Sequence, residues 1–268
     1  MLNRPADSGL HRSQEVEDPS IHYPDSDGEP LAESDYQFYP LTDTVRTLGL
    51  RFANRPDVYV AGNMLVYYRM NDVSARLAPD VFVVFGVDDH LRRSYFVWRE
   101  GKAPDFVLEI ASESTVNNDT GDKRDKYAEL GVTEYWRFDP TGECLEPTLQ
   151  CDLLEDGRYR PVELSRNPDG TIRGHSQLLG LDIYATPGES RLRFYDPVQE
   201  AWLRNLPESE TALQAEEAAH TATRADLLLA EASRASAEAA RASAEAERDA
   251  AQERIRQLEE QLRGRQSP

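Results

Sequence analysis

The sequence predicts a mixed α/β body followed by one long helix, and three observations predict it. Apolar runs rich in β-branched and aromatic residues recur between turn formers from Val58 to about Leu206. Two segments with helical signals stand among those runs, near residues 32–52 and 121–130. From about Glu208 the composition turns to Ala, Glu and Arg, with no Pro before Pro268 and no Gly except Gly264. Helix, strands, helix, strands is the order of a mixed α/β domain.

Taken in order, residues 1–30 are rich in Asp, Glu, Ser and Pro and read as a disordered acidic lead-in. The body is expected over 31–206. A helix from Ala32 to Phe52 can be capped by Ser34 or Asp35, with Tyr39, Leu41, Val45, Leu48 and Leu50 as its apolar stripe. Pro40 implies a capped first turn or a kink. Val58-Tyr-Val-Ala, Met64-Leu-Val-Tyr-Tyr and Val81-Phe-Val-Val-Phe read as strands, divided by Gly62-Asn63 and Asn71-Asp72. Tyr95-Phe-Val-Trp reads as a short strand or hairpin arm. Phe106-Val-Leu-Glu-Ile is nearly all apolar, the mark of a central strand covered on both faces. After a polar turn, Asp119 or Thr120 can cap a helix over 121–130, and Gly131 occupies its C-cap position. Glu134 to Asp139 is a further strand, and shorter strands and turns fill the chain to Leu206.

The segment 207–268 carries near-repeats of seven residues, from Leu228, Ala235 and Ala242. Its apolar seam is mostly alanine, which buries little area. Both a coiled coil joining a homodimer and a solvated single helix stay open.

Lysine is scarce here: three lysines stand against twenty-seven arginines. The net charge is -19, of which residues 1–43 carry -8 and residues 208–268 carry -5. No overall basic footprint of a nucleic-acid binder exists, although a local groove and bound cations count for more than the sum. No run approaches the ~18 apolar residues of a membrane span. The N-terminus lacks the basic and apolar regions of a secretory signal, so a soluble cytoplasmic protein is expected. Cys144 and Cys151 match no zinc spacing.

One constellation carries chemistry. Pro79-Asp80 opens one strand, and Glu109 interrupts the apolar run of another. A charge in a buried strand is costly without a partner or a metal. Lys123 and Lys126 follow fourteen and seventeen residues after Glu109. Two strand-borne carboxylates and a lysine are the minimal kit for metal-assisted phosphodiester hydrolysis. Asp80 and Glu109 can hold Mg²⁺ or Mn²⁺ through hard oxygens, with the Ile110 carbonyl as a third ligand. Lys123 can orient the attacking water and offset charge, and Lys126 can face the same way. Each residue also has a plain structural reading: a strand start for Asp80, an ion pair to an arginine for Glu109, a solvated helix face for the two lysines.

The series Pro79-Asp80, Pro104-Asp-Phe-Val-Leu-Glu109-Ile, Ser112, Asp119, Lys123, then Tyr127-Ala-Glu-Leu-Gly131-Val-Thr-Glu134-Tyr-Trp136 with Asp139-Pro140 resembles the Uma-two family of the PD-(D/E)XK superfamily. The similarity runs over roughly residues 30–200 and is densest over 104–140. It implies a restriction-endonuclease-like mixed sheet flanked by helices, with a Mg²⁺ site at the strand ends. By position, Asp80 is the first acid, Glu109 the second, and Lys123 the displaced lysine. The strict superfamily motif places a lysine two residues after the second acid, where this chain has Ala111. Many family members carry a His near the first helix; this chain has no clear counterpart, and Glu33 or Asp35 near the start of that helix can contribute an acid.

The resemblance therefore implies a Mg²⁺-dependent DNA endonuclease. The alternative is a binding or assembly module that keeps the nuclease fold with weak catalysis and oligomerises through the C-terminal helix.

Overall fold

A computed structural model describes residues 16–26, 28, 34–112 and 121–265. The chain divides into two compact units, Met1–Leu206 and Pro207–Pro268.

The first unit is built on a six-stranded sheet. Its strands are β1 (Val58–Ala61), β4 (Val81–Phe85), β6 (Phe106–Ile110), β7 (Glu134–Phe138), β8 (Leu149–Glu155) and β9 (Arg158–Pro161), in the order β1-β4-β6-β7-β8-β9. Only β6 and β7 run parallel; the other pairs are antiparallel, so the sheet is mixed. Every residue of β4 except Phe85, and all of β6 and β7, is buried, as the apolar runs require of central strands.

One face of this sheet packs on helix α1 (Asp35–Phe52) and on a second, antiparallel sheet. That sheet comprises β10 (Ser165–Arg166), β11 (Ile172–Ser176), β12 (Leu181–Ala185), β13 (Arg193–Asp196) and β14 (Ala201–Trp202), paired in chain order. Leu48 and Phe52 of α1, Leu108 and Trp136 of the first sheet, and Leu181, Ile183 and Phe194 of the second share one core. The two sheets meet closely at Gly174, where an added Cβ would lie 2.6 Å from the Trp136 ring. Glu134 also ties them, accepting from Trp136 Nε1 at 2.9 Å, Ser176 Oγ at 2.6 Å and the Leu178 amide at 3.0 Å.

The opposite face is covered by the main helix after β6, which ends at Leu130, and by a three-stranded sheet. The latter joins β3 (Arg76–Leu77), β2 (Val66–Tyr67) and β5 (Tyr95–Phe96). A single-turn helix, α2 (Val97–Glu100), follows β5, and α3 spans Asp122–Leu130. Gly131 caps α3 in the left-handed region at φ 83°, the conformation a glycine adopts without a Cβ penalty.

Several expectations change in detail. Helix α1 starts at Asp35 with Ser34 at the N-cap, and it runs through Pro40. Its buried side holds Leu41, Thr44, Leu48 and Phe52, while Tyr39 and Leu50 turn outward, because the sheet meets only one stripe of the helix. Of the two readings of Tyr95-Phe-Val-Trp the short strand holds for Tyr95-Phe96, which pairs in parallel with β2, while Val97 and Trp98 belong to α2. Asp119 and Thr120 lie outside the described residues, and Gly121 holds the N-cap position of α3.

Within residues 1–30, read from composition as disordered, the part 16–26 has defined partners. Tyr23 sits among the rings of Tyr67, Phe96 and Trp98 at 5.0, 5.2 and 5.6 Å. The Tyr67 hydroxyl donates to the Pro24 carbonyl at 2.8 Å, and Arg99 pairs with Glu17. One aromatic in a cage of three outweighs the polar average of its segment.

The second unit is helix α4, Leu206–Arg265, sixty residues long. Leu213, Leu227, Leu228, Leu229, Ile255 and Leu258 along it are exposed. Among the described residues, no helix is long and apolar enough to cross a membrane.

Candidate active site

Strand register creates the site. Val81 pairs with Leu108 across β4 and β6, so Asp80, just before β4, stands beside Glu109. The two acids are interlocked through the backbone: the Ile110 amide donates to Asp80 Oδ2 at 2.7 Å, and the Asp80 amide lies 3.4 Å from Glu109 Oε2. Glu109 is only 1% exposed.

Helix α3 supplies the other side. Lys123 and Tyr127 are one turn apart, on one helix face. Lys123 Nζ stands 3.4 Å from Glu109 Oε1, and the Tyr127 hydroxyl donates to the same oxygen at 2.7 Å. Burial pushes the Glu109 carboxyl up to about 7; the nearby Lys123 ammonium opposes that rise and the negative charge of Asp80 adds to it. Burial also pushes the Tyr127 phenol well above its ordinary value, so it stays a protonated donor.

Other groups hold this geometry. At Gly62 a Cβ would lie 2.4 Å from the Asp80 carbonyl oxygen and 2.7 Å from Val45 of α1. The next amide, Asn63, donates to the Pro79 carbonyl at 3.0 Å. Helix α3 is pinned at Arg124, which donates to Asp152 of β8 at 2.8 and 3.1 Å. Asp152, 1% exposed, also accepts from Arg137 Nη2 at 2.5 Å. Arg137 is the register partner of Glu109 on β7, yet its ion pair is with Asp152.

The structure thus brings Asp80, Glu109 and Lys123 together. Lys126 goes elsewhere: it pairs with Glu129 and lies 5.5 Å over the Tyr68 ring. Lys102, without a role in the sequence reading, donates to the Phe85 carbonyl at 2.9 Å and to Asp105 at 2.8 Å. Glu33 lies outside the described residues, and Asp35 is exposed at the start of α1. Ala111 is buried with its amide on the Phe138 carbonyl, so the strict motif's lysine slot is filled by a methyl group. Sequence reasoning missed Tyr127 as a polar partner of Glu109, although its four-residue spacing from Lys123 was the signal. It also missed Gly62 and the Arg124–Asp152–Arg137 cluster.

Among the described residues, no group of three or more His, Cys, Asp or Glu side chains gathers to hold a metal ion. The donor set fits a hard divalent cation with few protein ligands, because Mg²⁺ is commonly bound by one or two carboxylates and keeps several waters. Two acids facing each other, one of them raised to about 7 by burial and by its neighbour's charge, form a place where a cation relieves repulsion.

A family model described as "Uma2: Putative restriction endonuclease" matches residues 10–185. No curated protein matches the chain. Among solved structures, similarity is found to a "putative nuclease belonging to DUF820" from Anabaena variabilis ATCC 29413, at 12% identity and a TM-score of 0.38. That alignment covers 50% of this chain and 73% of the other.

Proposed function

The chain belongs to the Uma2 family, and on that premise we propose that it hydrolyses DNA phosphodiester bonds with Mg²⁺ or Mn²⁺ held by Asp80 and Glu109. The observation that carries this reading is the set of contacts on Glu109: Asp80, Lys123 and Tyr127 converge on one buried carboxylate at a strand end.

Asp80 and Glu109 offer hard oxygens from adjacent strands. A residue in a strand presents its N–H and C=O to the same edge, and the Ile110 amide faces Asp80. Its carbonyl is therefore the candidate third oxygen. When bound, the divalent cation lowers the pKa of its water and offsets charge gathering on the phosphoryl oxygens. Tyr127 holds the Glu109 carboxylate in one orientation. Lys123, its side chain 23% exposed, reaches both Glu109 and solvent, so it can orient an attacking water and stabilise the anionic transition state.

The test is cleavage of plasmid and oligonucleotide DNA with Mg²⁺ or Mn²⁺, comparing the parent with Asp80→Asn, Glu109→Gln and Lys123→Met. Each substitution is expected to abolish cutting. Cleavage that survives all three sinks the assignment.

A second reading, a nuclease-fold binding or assembly module, is favoured by one observation: the exposed leucines of α4. In it α4 pairs with a second copy as a coiled coil. Calorimetric Mg²⁺ binding without turnover of any DNA or RNA, together with a dimer lost on removing residues 207–268, would favour that module.

A further inference from the structure

Strand β8 outruns the strand beside it. Asp152–Glu155 pair with β9, which ends at Pro161, and the Val162 amide still donates to the Cys151 carbonyl at 2.9 Å. The chain then crosses to β10 of the second sheet, which begins at Ser165. Leu149 and Gln150 of β8 have no strand on that side. A cavity of about 390 Å³ opens at this bare edge, within the ~300–1,000 Å³ range of small-molecule sites.

Its two sides differ because successive strand residues face opposite ways. Leu149 and Cys151 belong to the core shared by the two sheets, as does Ile172 of β11. Val162 and Leu164 pack against that core, and these five line the apolar side. Arg137 and Gln150, register partners across β7 and β8, line the other. Arg137 is 7% exposed and its Nη2 donates to Asp152, but its Nε is buried with no hydrogen-bond partner. Gln150 Nε2 donates to the Glu146 and Pro147 carbonyls at 3.4 and 3.3 Å. Among the described residues, no donor meets Gln150 Oε1. Buried polar groups are as a rule hydrogen-bonded, so an unused donor beside an unused acceptor points to an occupant that supplies both partners.

The charges speak against an ion. Asp152 holds the Arg137 guanidinium, and Arg166 pairs with Glu146 at 3.0 Å. These two arginines are the cations of the lining, and the remaining charge, Glu163, is an exposed acid. The edge therefore offers N–H and C=O groups rather than a free charge.

We propose that this cavity binds a small uncharged carboxamide with a branched apolar body. The carboxamide oxygen accepts from Arg137, its NH₂ donates to Gln150 Oε1, and the body lies against Leu149, Cys151 and Ile172. A carboxamide carries acceptor and donor side by side, as Arg137 and Gln150 do in complement. An ester has no N–H for Gln150, and a carboxylate brings a charge beside Asp152. Glu109 lies on β6, two strands from β8, so this is a second site and not part of the acidic one.

The test is calorimetric titration of the full chain with N-acetyl-leucinamide, in EDTA and without DNA. Its outcome is therefore independent of the function proposed for Asp80 and Glu109. Binding is expected at about 1 mM, the level that roughly a dozen heavy atoms reach. The methyl ester of N-acetyl-leucine should bind about fivefold more weakly, having lost one hydrogen bond. N-acetyl-glycinamide, without the apolar body, should bind about tenfold more weakly. Gln150→Leu should remove the preference for amide over ester, and Val162→Trp should fill the cavity and abolish binding. Alkylation of Cys151, followed by mass spectrometry with Cys144 as reference, should slow when N-acetyl-leucinamide is present. Three results overturn the proposal. One is the absence of saturable binding below about 10 mM, a range in which even weak ligands of this size register. Another is an ester or a free carboxylate that binds as tightly as the amide. The third is unchanged binding in both Gln150→Leu and Val162→Trp, which would place the ligand elsewhere.

Discussion

The Tyr127 hydroxyl donates to Glu109 Oε1 across 2.7 Å, and it does so from the face of α3 that also carries Lys123. A residue whose ring belongs to the core thereby holds one oxygen of the acidic site. Tyr127→Phe keeps the ring and removes the donor. Oε1 is then left with Lys123 alone at 3.4 Å, and losing a hydrogen bond to a buried carboxyl costs about 1–3 kcal/mol, read as a lower urea midpoint. Because the Tyr127 hydrogen bond lowers the Glu109 pKa, its loss should also move the acid limb of the cleavage pH profile upward.

Glu109 makes stability depend on pH in an unusual direction. Its folded value, about 7, is raised above the ordinary 4.5, chiefly by burial. Between those values the folded chain keeps a proton that the unfolded chain has lost. The stabilisation is fully present below about pH 4.5 and disappears as pH rises through 7, a span worth about 3 kcal/mol. With a chelator present, the parent should lose stability from pH 5 to pH 8 relative to Glu109→Gln. At pH 8 the Gln variant should be the more stable of the two, and Mg²⁺ should restore the parent. A parent and variant whose midpoints move in parallel would refute this.

Gly62 has no room for a methyl group, since its Cβ would meet the Asp80 carbonyl oxygen at 2.4 Å. Gly62→Ala must push the Asp80 peptide away. A shift near 1 Å at a reacting group costs up to roughly 100-fold in rate. Val45→Ala in the same background should not restore activity, because the nearer obstacle is backbone. Full rescue by Val45→Ala would point to helix α1 as the cause.

Asp152 is flanked by two guanidinium groups and is 1% exposed. Asp152→Ala leaves both cations without their acid, and breaking such a buried set costs about 3–5 kcal/mol. Thermal denaturation should show a large drop in Tm. A near-neutral result would mean that solvent reaches Arg124 and Arg137 readily once the acid is gone.

Local chemistry made the frame legible in the sequence. The apolar runs at 81–85 and 106–110 are central strands, and Gly131 sits in the left-handed C-cap. Asp80, Glu109 and Lys123 could be singled out because a carboxylate in an apolar run and a rare lysine are visible without a structure. Other features depend on distance along the chain. Arg124 meets Asp152 across 28 residues, and no spacing rule reaches that far. Tyr127 was legible as a core ring but not as a donor, because periodicity sees one face of a residue with two roles. The lead-in was misjudged at Tyr23 because composition averages a segment, whereas a cage of three rings acts on one side chain. Short strands such as β10 and β14 owe their existence to neighbours already in a sheet, so two residues carry no signal of their own.

The placing of the lysines has a practical consequence. The chain offers an amine-selective acylating reagent only three side chains, and they sit in three different settings: Lys102 on Asp105, Lys126 on Glu129 and Lys123 on Glu109. Mass spectrometry can therefore follow each amine as a separate clock. The rate at Lys123, measured against the other two as internal standards, becomes a reporter of whatever occupies the space beside Glu109, in the intact protein and with no substrate present.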